Sequence, residues 1–234
     1  MPENVGLTAP IKAVAFDLDG TLLDTLPDIA EAGNRMLADL GRASVDQHVV
    51  RGFIGNGIAQ LTKRLLTGEM SGEPPAALFA ESFAHFQRHY RDTLTLRSRP
   101  YPHVIESLTR LTDLGLPLAC VTNKAESFTV PLLDATGLRR FFALVLSGDS
   151  LPLKKPDPLP FLHCAQQLRV RPAELLVIGD SANDVLAARA AGCPVFCVPY
   201  GYTERDVRDL KCDAIVGHLG EAVDLIAGVL AKTT

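Results

Sequence analysis

Two carboxylates, Asp17 and Asp19, close an apolar run that starts at Ile11, and Gly20 and Thr21 follow them. The run is short, rich in small and branched apolar residues, and free of charge after Lys12. Such a stretch reads as a strand buried on both faces of a parallel sheet. The two acids then stand at its carboxyl end, the edge where open α/β sheets place their active sites. Gly20 lets the chain turn there, so the strand breaks at the acids and each carboxylate is free for its own task.

Other polar groups follow other apolar runs in the same way. Thr122 and Asn123 close Pro117 to Thr122, and Lys154, Lys155 and Pro156 come shortly after Phe142 to Leu146. Gly179, Asp180, Ser181 and Asp184 follow Leu175 to Gly179. In a parallel sheet these ends share one edge, so residues distant in sequence converge. Carboxylates crowded together are unfavourable without a cation. A ligand set of oxygens alone, with no His or Cys nearby, points to a hard ion, and an open site of this kind favours Mg²⁺. A lysine, a hydroxyl and Mg²⁺ facing one point make a phosphoryl site, and a carboxylate there can attack phosphorus and form an aspartyl-phosphate. Plainer roles compete at some positions: Asn123 and Ser181 as helix caps, Asp184 as a first-turn acid favoured by the helix dipole.

The elements that must position these groups fall into two kinds. From residue 27 to 95 the pattern is helical, with Ile29, Met36, Leu37 and Leu40 on one face after Asp28 as cap. Ile58, Leu61 and Leu65 mark a second helix, and Leu78, Phe79, Phe83, Phe86 and Tyr90 a third. From Arg99 onward, strands and helices alternate, which means a parallel sheet covered on both faces. The expected fold is α/β: a Rossmann-like parallel sheet in residues 1–26 and 96–234, with a small all-helical cap, residues 27–95, inserted after the first strand.

Composition excludes several function classes. The 234 residues are 47% hydrophobic and 21% charged, enough for a full core and unlike a disordered chain. The net charge is −4, with no Lys/Arg block to grip nucleic acid or an anionic membrane. No apolar run reaches the roughly 18 residues that span a bilayer. Met1 to Pro10 has neither a basic start nor an apolar core, and reads as a loose tail rather than a secretory signal. The five cysteines are odd in number and contain no Cys-x-x-Cys, the pattern of reduced cytoplasmic thiols. The six histidines show no ligand spacing in this reading, and His103 and His163 read as structural or surface groups.

The four ordered segments Asp17-Leu18-Asp19-Gly20-Thr21, Thr122-Asn123, Lys155-Pro156 and Gly179-Asp180-Ser181-x-x-Asp184 resemble the four motifs of the haloacid dehalogenase superfamily. The resemblance spans essentially the whole chain, helical cap included. Within that superfamily the chain is most similar to the bacterial phosphoglycolate phosphatases. Phe53-Ile54-Gly55-Asn56-Gly57, Lys154 to Pro158, Gly179 to Asp184, Ala190 to Pro194 and Tyr200-Gly201-Tyr202 carry that closer likeness.

The resemblance implies a role for each matched residue. Asp17 is the nucleophile; Asp19 protonates the leaving oxygen and then deprotonates the attacking water. Thr122 and Lys155 hold the phosphoryl oxygens, with Asn123 in support. Lys155 is preferred to Lys154 because the family's lysine directly precedes proline. Mg²⁺ is held by the Asp17 side chain, the Asp19 backbone carbonyl and Asp180, with Asp184 close by or acting through water. An aspartic acid titrates near 3.9, too low for acid catalysis at neutral pH, and direct coordination depresses it further. Coordination through a backbone carbonyl leaves the side chain free for proton transfer.

The implied reaction is Mg²⁺-dependent hydrolysis of a small phosphorylated metabolite, 2-phosphoglycolate, by a cytoplasmic monomer or homodimer. The competing readings are a phosphatase or mutase for a sugar phosphate, nucleotide or pyrophosphate, and a non-catalytic binding protein on the same fold. A dehalogenase needs no second acid, whereas Asp19 and Asp180 are both present. The far carboxylate of phosphoglycolate requires a cation or backbone amides, for which Arg51, Lys63, Arg64 and the Gly55-Asn56-Gly57 turn are candidates.

Overall fold

The structure, a computed structural model, describes residues 9–202 and 207–231. The expected tail at Met1 to Pro10 falls, up to residue 8, outside the described residues. After β1 (Ala13–Phe16) and β2 (Leu23–Asp24) come four helices, α1 (Leu26–Asp39), α2 (Gln47–Phe53), α3 (Ile58–Thr67) and α4 (Ala76–Thr93). The chain then runs through β3 (Arg99–Pro100), α5 (Val104–Asp113), β4 (Leu118–Val121), α6 (Glu126–Ala135), β5 (Phe142–Leu146) and α7 (Leu159–Gln167). It ends with β6 (Leu175–Gly179), α8 (Ala182–Ala191), β7 (Val195–Cys197), β8 (Ala214–Ile215) and α9 (Leu219–Leu230).

Six strands form one sheet in the order β5-β4-β1-β6-β7-β8. Every neighbouring pair in it is parallel. β1 sits centrally and all four of its residues are buried. Its side chains alternate between two cores, as strand geometry requires. Val14 and Phe16 join Leu118, Cys120, Leu176 and Ile178 under α5, α6 and α9. Ala13 and Ala15 join Ala119, Val121, Leu175 and Val177 on the opposite face. There the small residues let Phe161 and Cys164 of α7 and Ala187 and Ala188 of α8 approach closely. This is a Rossmann-like α/β fold with helices on both faces.

The helical insertion is built around α1 and α4, which bury Met36, Leu37, Phe86 and Tyr90 against Leu65 of α3. Gly41 closes α1 with a left-handed turn, its N–H and that of Arg42 reaching back to Ala38 and Leu37.

Three local features differ from the sequence reading. Asp28 does not cap α1, whose N-cap residue is Thr25. Asp28 is instead fully buried and accepts from the Arg97 and Ser98 amides and the Ser98 hydroxyl. It thus ties the point where the chain leaves for the helices to the point where it returns. β2 and β3 pair antiparallel beside it, Leu23 with Pro100 and Asp24 with Arg99. α2, not foreseen, buries only Val50 and Phe53, too few positions to display a helical period. Among the described residues no helix is long and apolar enough to cross a membrane.

Candidate active site

The carboxyl ends of β1, β4 and β6 and the loops after β5 and β7 bring the polar groups together. The Asp17 amide still donates to Ile178 of β6, so its side chain leaves the sheet at a fixed angle. Lys155 is buried with its ammonium 2.7 Å from Asp17 Oδ1, 2.7 Å from Asp184 Oδ1 and 2.6 Å from the Val121 carbonyl. One oxygen from each of Asp17, Asp180 and Asp184 lies within 4.8 Å of the others. Asp180 is held by the Tyr202 amide at 2.6 Å and, more loosely, by the Thr21 hydroxyl at 3.3 Å. Asp184 is tied down at the start of α8, where its Oδ2 accepts from the Ser181 amide and hydroxyl.

Asp19 is turned out of this cluster. Its Oδ1 accepts from the Thr25 hydroxyl at 2.7 Å, and both oxygens lie 3.0 Å from the Lys124 ammonium. Lys124 in turn donates to the Tyr90 hydroxyl of α4. Sequence reasoning missed Lys124. It directly follows Thr122-Asn123, and a lysine continuing a buried strand end is the signal that was available.

The electrostatics separate the two groups. Burial raises Asp17 to about 6; Lys155 beside it pulls the other way, and Asp184 and Asp19 push up again. Burial, then Asp17 and Asp184, hold Asp180 well above the ordinary carboxylate range. Burial alone would lower Lys155, yet Asp17 and Asp184 raise it overall, so it stays charged. One lysine facing three carboxylates leaves a deficit of positive charge that a dication neutralises.

The surroundings fit such an ion. The donors are oxygens only, as a hard cation prefers. Gly20, at φ +87°, and Gly201 crowd Asp180: a Cβ on either would fall 2.5 Å or 2.1 Å from its Oδ2. Two glycines therefore keep room around the carboxylate that side chains would fill.

A solvent-open cleft lies over these groups. Asp17, Asp19, Thr122, Asn123, Lys124, Lys155 and Asp180 line its floor, and Ile29, Ile54, Ile58 and Leu61 make an apolar wall on the helical side. Thr122 Oγ1 accepts from the Lys124 amide, which uses a lone pair and not its proton. Asn123 acts as a strut, its Nδ2 donating to the Gly55 and Lys155 carbonyls. Asn183 donates to the same Gly55 carbonyl, and Lys154 to the Asn56 carbonyl. Lys154 is thus engaged with the helical insertion, and Lys155 with the carboxylates.

The three cations considered for the substrate's far end do not line the cleft. Arg51 donates to the Tyr200 and Gly201 carbonyls. Lys63 pairs with Glu73. Arg64 donates to the Phe53 and Met70 carbonyls and to Asn56 Oδ1, bracing the Gly55–Gly57 turn from behind.

Comparison with known proteins agrees with this architecture. Residues 11–192 match the family model of the haloacid dehalogenase-like hydrolases. A phosphoglycolate phosphatase of Thiobacillus denitrificans is 56% identical over 218 residues, covering 93% of this chain and 96% of that protein. One from Nitrosospira multiformis is 54% identical with the same coverage. A crystal structure described as a predicted phosphoglycolate phosphatase from Haemophilus somnus superposes with a TM-score of 0.87 at 34% identity, covering 93% of this chain and 99% of that one. The chain belongs to the haloacid dehalogenase-like hydrolase family, as one of its phosphoric monoester hydrolases.

Proposed function

We propose that this chain is a Mg²⁺-dependent phosphatase that converts 2-phosphoglycolate to glycolate and phosphate through an aspartyl-phosphate on Asp17. One observation carries the mechanism: two carboxylates on one turn have separate partners, Asp17 with Lys155 and the acidic cluster, Asp19 with Lys124 and Thr25. The substrate is drawn from the relatives at 56% and 54% identity, which carry the name phosphoglycolate phosphatase.

Lys155 fixes one Asp17 oxygen and leaves the other to attack phosphorus in line. The Thr122 hydroxyl proton holds an equatorial phosphoryl oxygen, while Lys155, its three N–H groups given to Asp17, Asp184 and the Val121 carbonyl, faces the phosphoryl group as a buried positive charge. Asp17, Asp180 and the Asp19 backbone carbonyl would hold Mg²⁺, which when bound neutralises charge on the phosphoryl group and its nucleophile. Asp19, outside the acidic cluster, gives a proton to the leaving glycolate oxygen. It then takes one from the water that hydrolyses the acyl phosphate. Ile29, Ile54, Ile58 and Leu61 give the site an apolar wall on the helical side. The glycolate carboxylate is held by the first-turn amides of α3, which start after Gly57 and have no partner within the helix.

Phosphate release from a panel of phosphorylated metabolites with Mg²⁺ tests the reading. We expect 2-phosphoglycolate to rank first in kcat/KM and Asp17→Asn to lower turnover at least ~1000-fold. A low rank for 2-phosphoglycolate sinks the substrate, and substantial turnover by the variant sinks the mechanism.

A further inference from the structure

We propose that the helical insertion carries a second metal site, for a first-row transition dication such as Zn²⁺, formed by Asp39, His85 and His89. It lies apart from the cleft and does not depend on the substrate assigned above.

Contrary to the sequence reading, the histidines do include one pair at ligand spacing. His85 and His89 are four residues apart in α4, which puts both on one face one turn apart. The residue after each is locked in the core: Phe86 and Tyr90 are fully buried, with ring centroids 5.7 Å apart. The two imidazoles are therefore fixed at the rim of the α1–α4 contact. Asp39, the last residue of α1, meets them there behind the buried Met36 and Leu37. His85 Nδ1 lies 2.5 Å and His89 Nε2 2.7 Å from the same oxygen, Asp39 Oδ2.

Hydrogen-bond accounting does not close around that oxygen. The Arg88 guanidinium also reaches it at 2.7 Å, so three nitrogens share an acceptor with two lone pairs. Arg88 Nη2 further lies 3.4 Å from each ring nitrogen. Three donors thus crowd one oxygen, which brings the Arg88 guanidinium and the two ring nitrogens against one another. A cation bound by the three convergent atoms removes the conflict, with each ring nitrogen offering its lone pair. The Arg88 side chain is 58% exposed and can swing into solvent as the ion enters.

Two imidazoles and one carboxylate suit Zn²⁺ and its neighbours rather than Mg²⁺, which prefers oxygen alone. Three protein ligands leave one position for water. Asp39, His85 and His89 are not among the residues lining the cleft, and the ion would act as a clamp that pins the end of α1 to α4.

The test is calorimetric titration of Zn²⁺ into the whole chain with saturating Mg²⁺ on the carboxylate centre. The comparison is with the His85→Ala/His89→Ala double variant. We expect the unmodified chain to bind one further equivalent, with its Tm raised. The double variant should lose that equivalent, or bind it more than ~100-fold more weakly, since even an outer-shell partner is worth 10–100-fold. In the unmodified chain, imidazole ¹⁵N shifts of His85 and His89 should move on adding Zn²⁺ while the other four histidines stay still. Equal Zn²⁺ uptake by both proteins, or unmoved His85 and His89 resonances, overturns the assignment.

Discussion

Lys124→Met removes one buried charge next to Asp19 and keeps the length of the side chain. The Lys124 side chain is 1% exposed and that of Asp19 14%, with 3.0 Å between the ammonium and the carboxylate. At an effective dielectric near 20, a pair at that distance attracts by about 5.5 kcal/mol. Part of this is offset, because the variant no longer buries an ammonium. Breaking a buried pair by removing one partner costs about 3–5 kcal/mol in general. Asp19 keeps the Thr25 hydroxyl and some solvent, which places the loss near the lower end, about 3 kcal/mol.

The kinetic effect should be separable from the loss of stability. Without Lys124, Asp19 is no longer aimed, and a misplacement of about 1 Å costs about 100-fold in turnover. Phosphorylation of Asp17 by p-nitrophenyl phosphate needs no proton from Asp19, because its leaving group is already a good one. Hydrolysis of the phosphoenzyme still needs the base. The variant should therefore show a burst of p-nitrophenolate followed by slow turnover, while an alkyl phosphate shows no burst. Chemical denaturation with stopped-flow assays measures both effects. A variant of unchanged stability and unchanged kcat would refute the reasoning.

Two further outcomes follow from the acidic cluster. Gly201→Ala puts a methyl 2.1 Å from Asp180 Oδ2, so the carboxylate must leave the Tyr202 amide. The Mg²⁺ concentration needed for half-maximal activity should rise at least ~10-fold, with about 1–3 kcal/mol of stability lost, and an unchanged Mg²⁺ requirement counts against Asp180 as a ligand. Asp17 rises from 3.8 to about 6 on folding, so without metal the native state keeps a proton that the unfolded chain releases. Its contribution to stability falls as pH rises from about 4 to about 6, by roughly 3 kcal/mol, and the metal must recover it. The Tm increase on adding Mg²⁺ should be small at the acid end of this window and grow across it, and a pH-independent increase would rule the linkage out.

The parts of this molecule that could be read in the chain are those set by local pattern. β1 is an unbroken apolar run because both of its faces are buried, and the same holds for β4 and β6. The acids after β1 and β6 are legible because a parallel sheet fixes where strand ends go. What could not be read depends on partners far away in sequence. Asp28 looks like a helix cap until the Arg97 and Ser98 amides are known to reach it. Arg51 and Arg64 look like substrate cations until the carbonyls that accept from them are seen. The His85–His89 spacing is visible in the sequence, but Asp39 lies 46 residues before His85. β2 and β3, at two residues each, are too short to carry any period.

Of the two partners of Asp19, Thr25 lies on the route into the helical insertion, and Lys124, in the loop after β4, contacts its last helix. Thr25 is the N-cap residue of α1, and its amide and that of Leu26 donate to the Tyr202 hydroxyl. Tyr202 donates from the same hydroxyl to Asp24, while its amide holds Asp180. Lys124, the other partner, reaches Tyr90 near the end of α4. A displacement of α1 or α4 therefore acts on the proton carrier through Thr25 or Lys124. Asp17 is held by Lys155, Asp184 and the central strand, and reaches the insertion at one further remove, where Asn123 donates to both the Lys155 and Gly55 carbonyls. The nucleophile is fixed to the sheet and the acid/base to the helices. A change in helical packing should thus alter proton transfer before it alters attack on phosphorus.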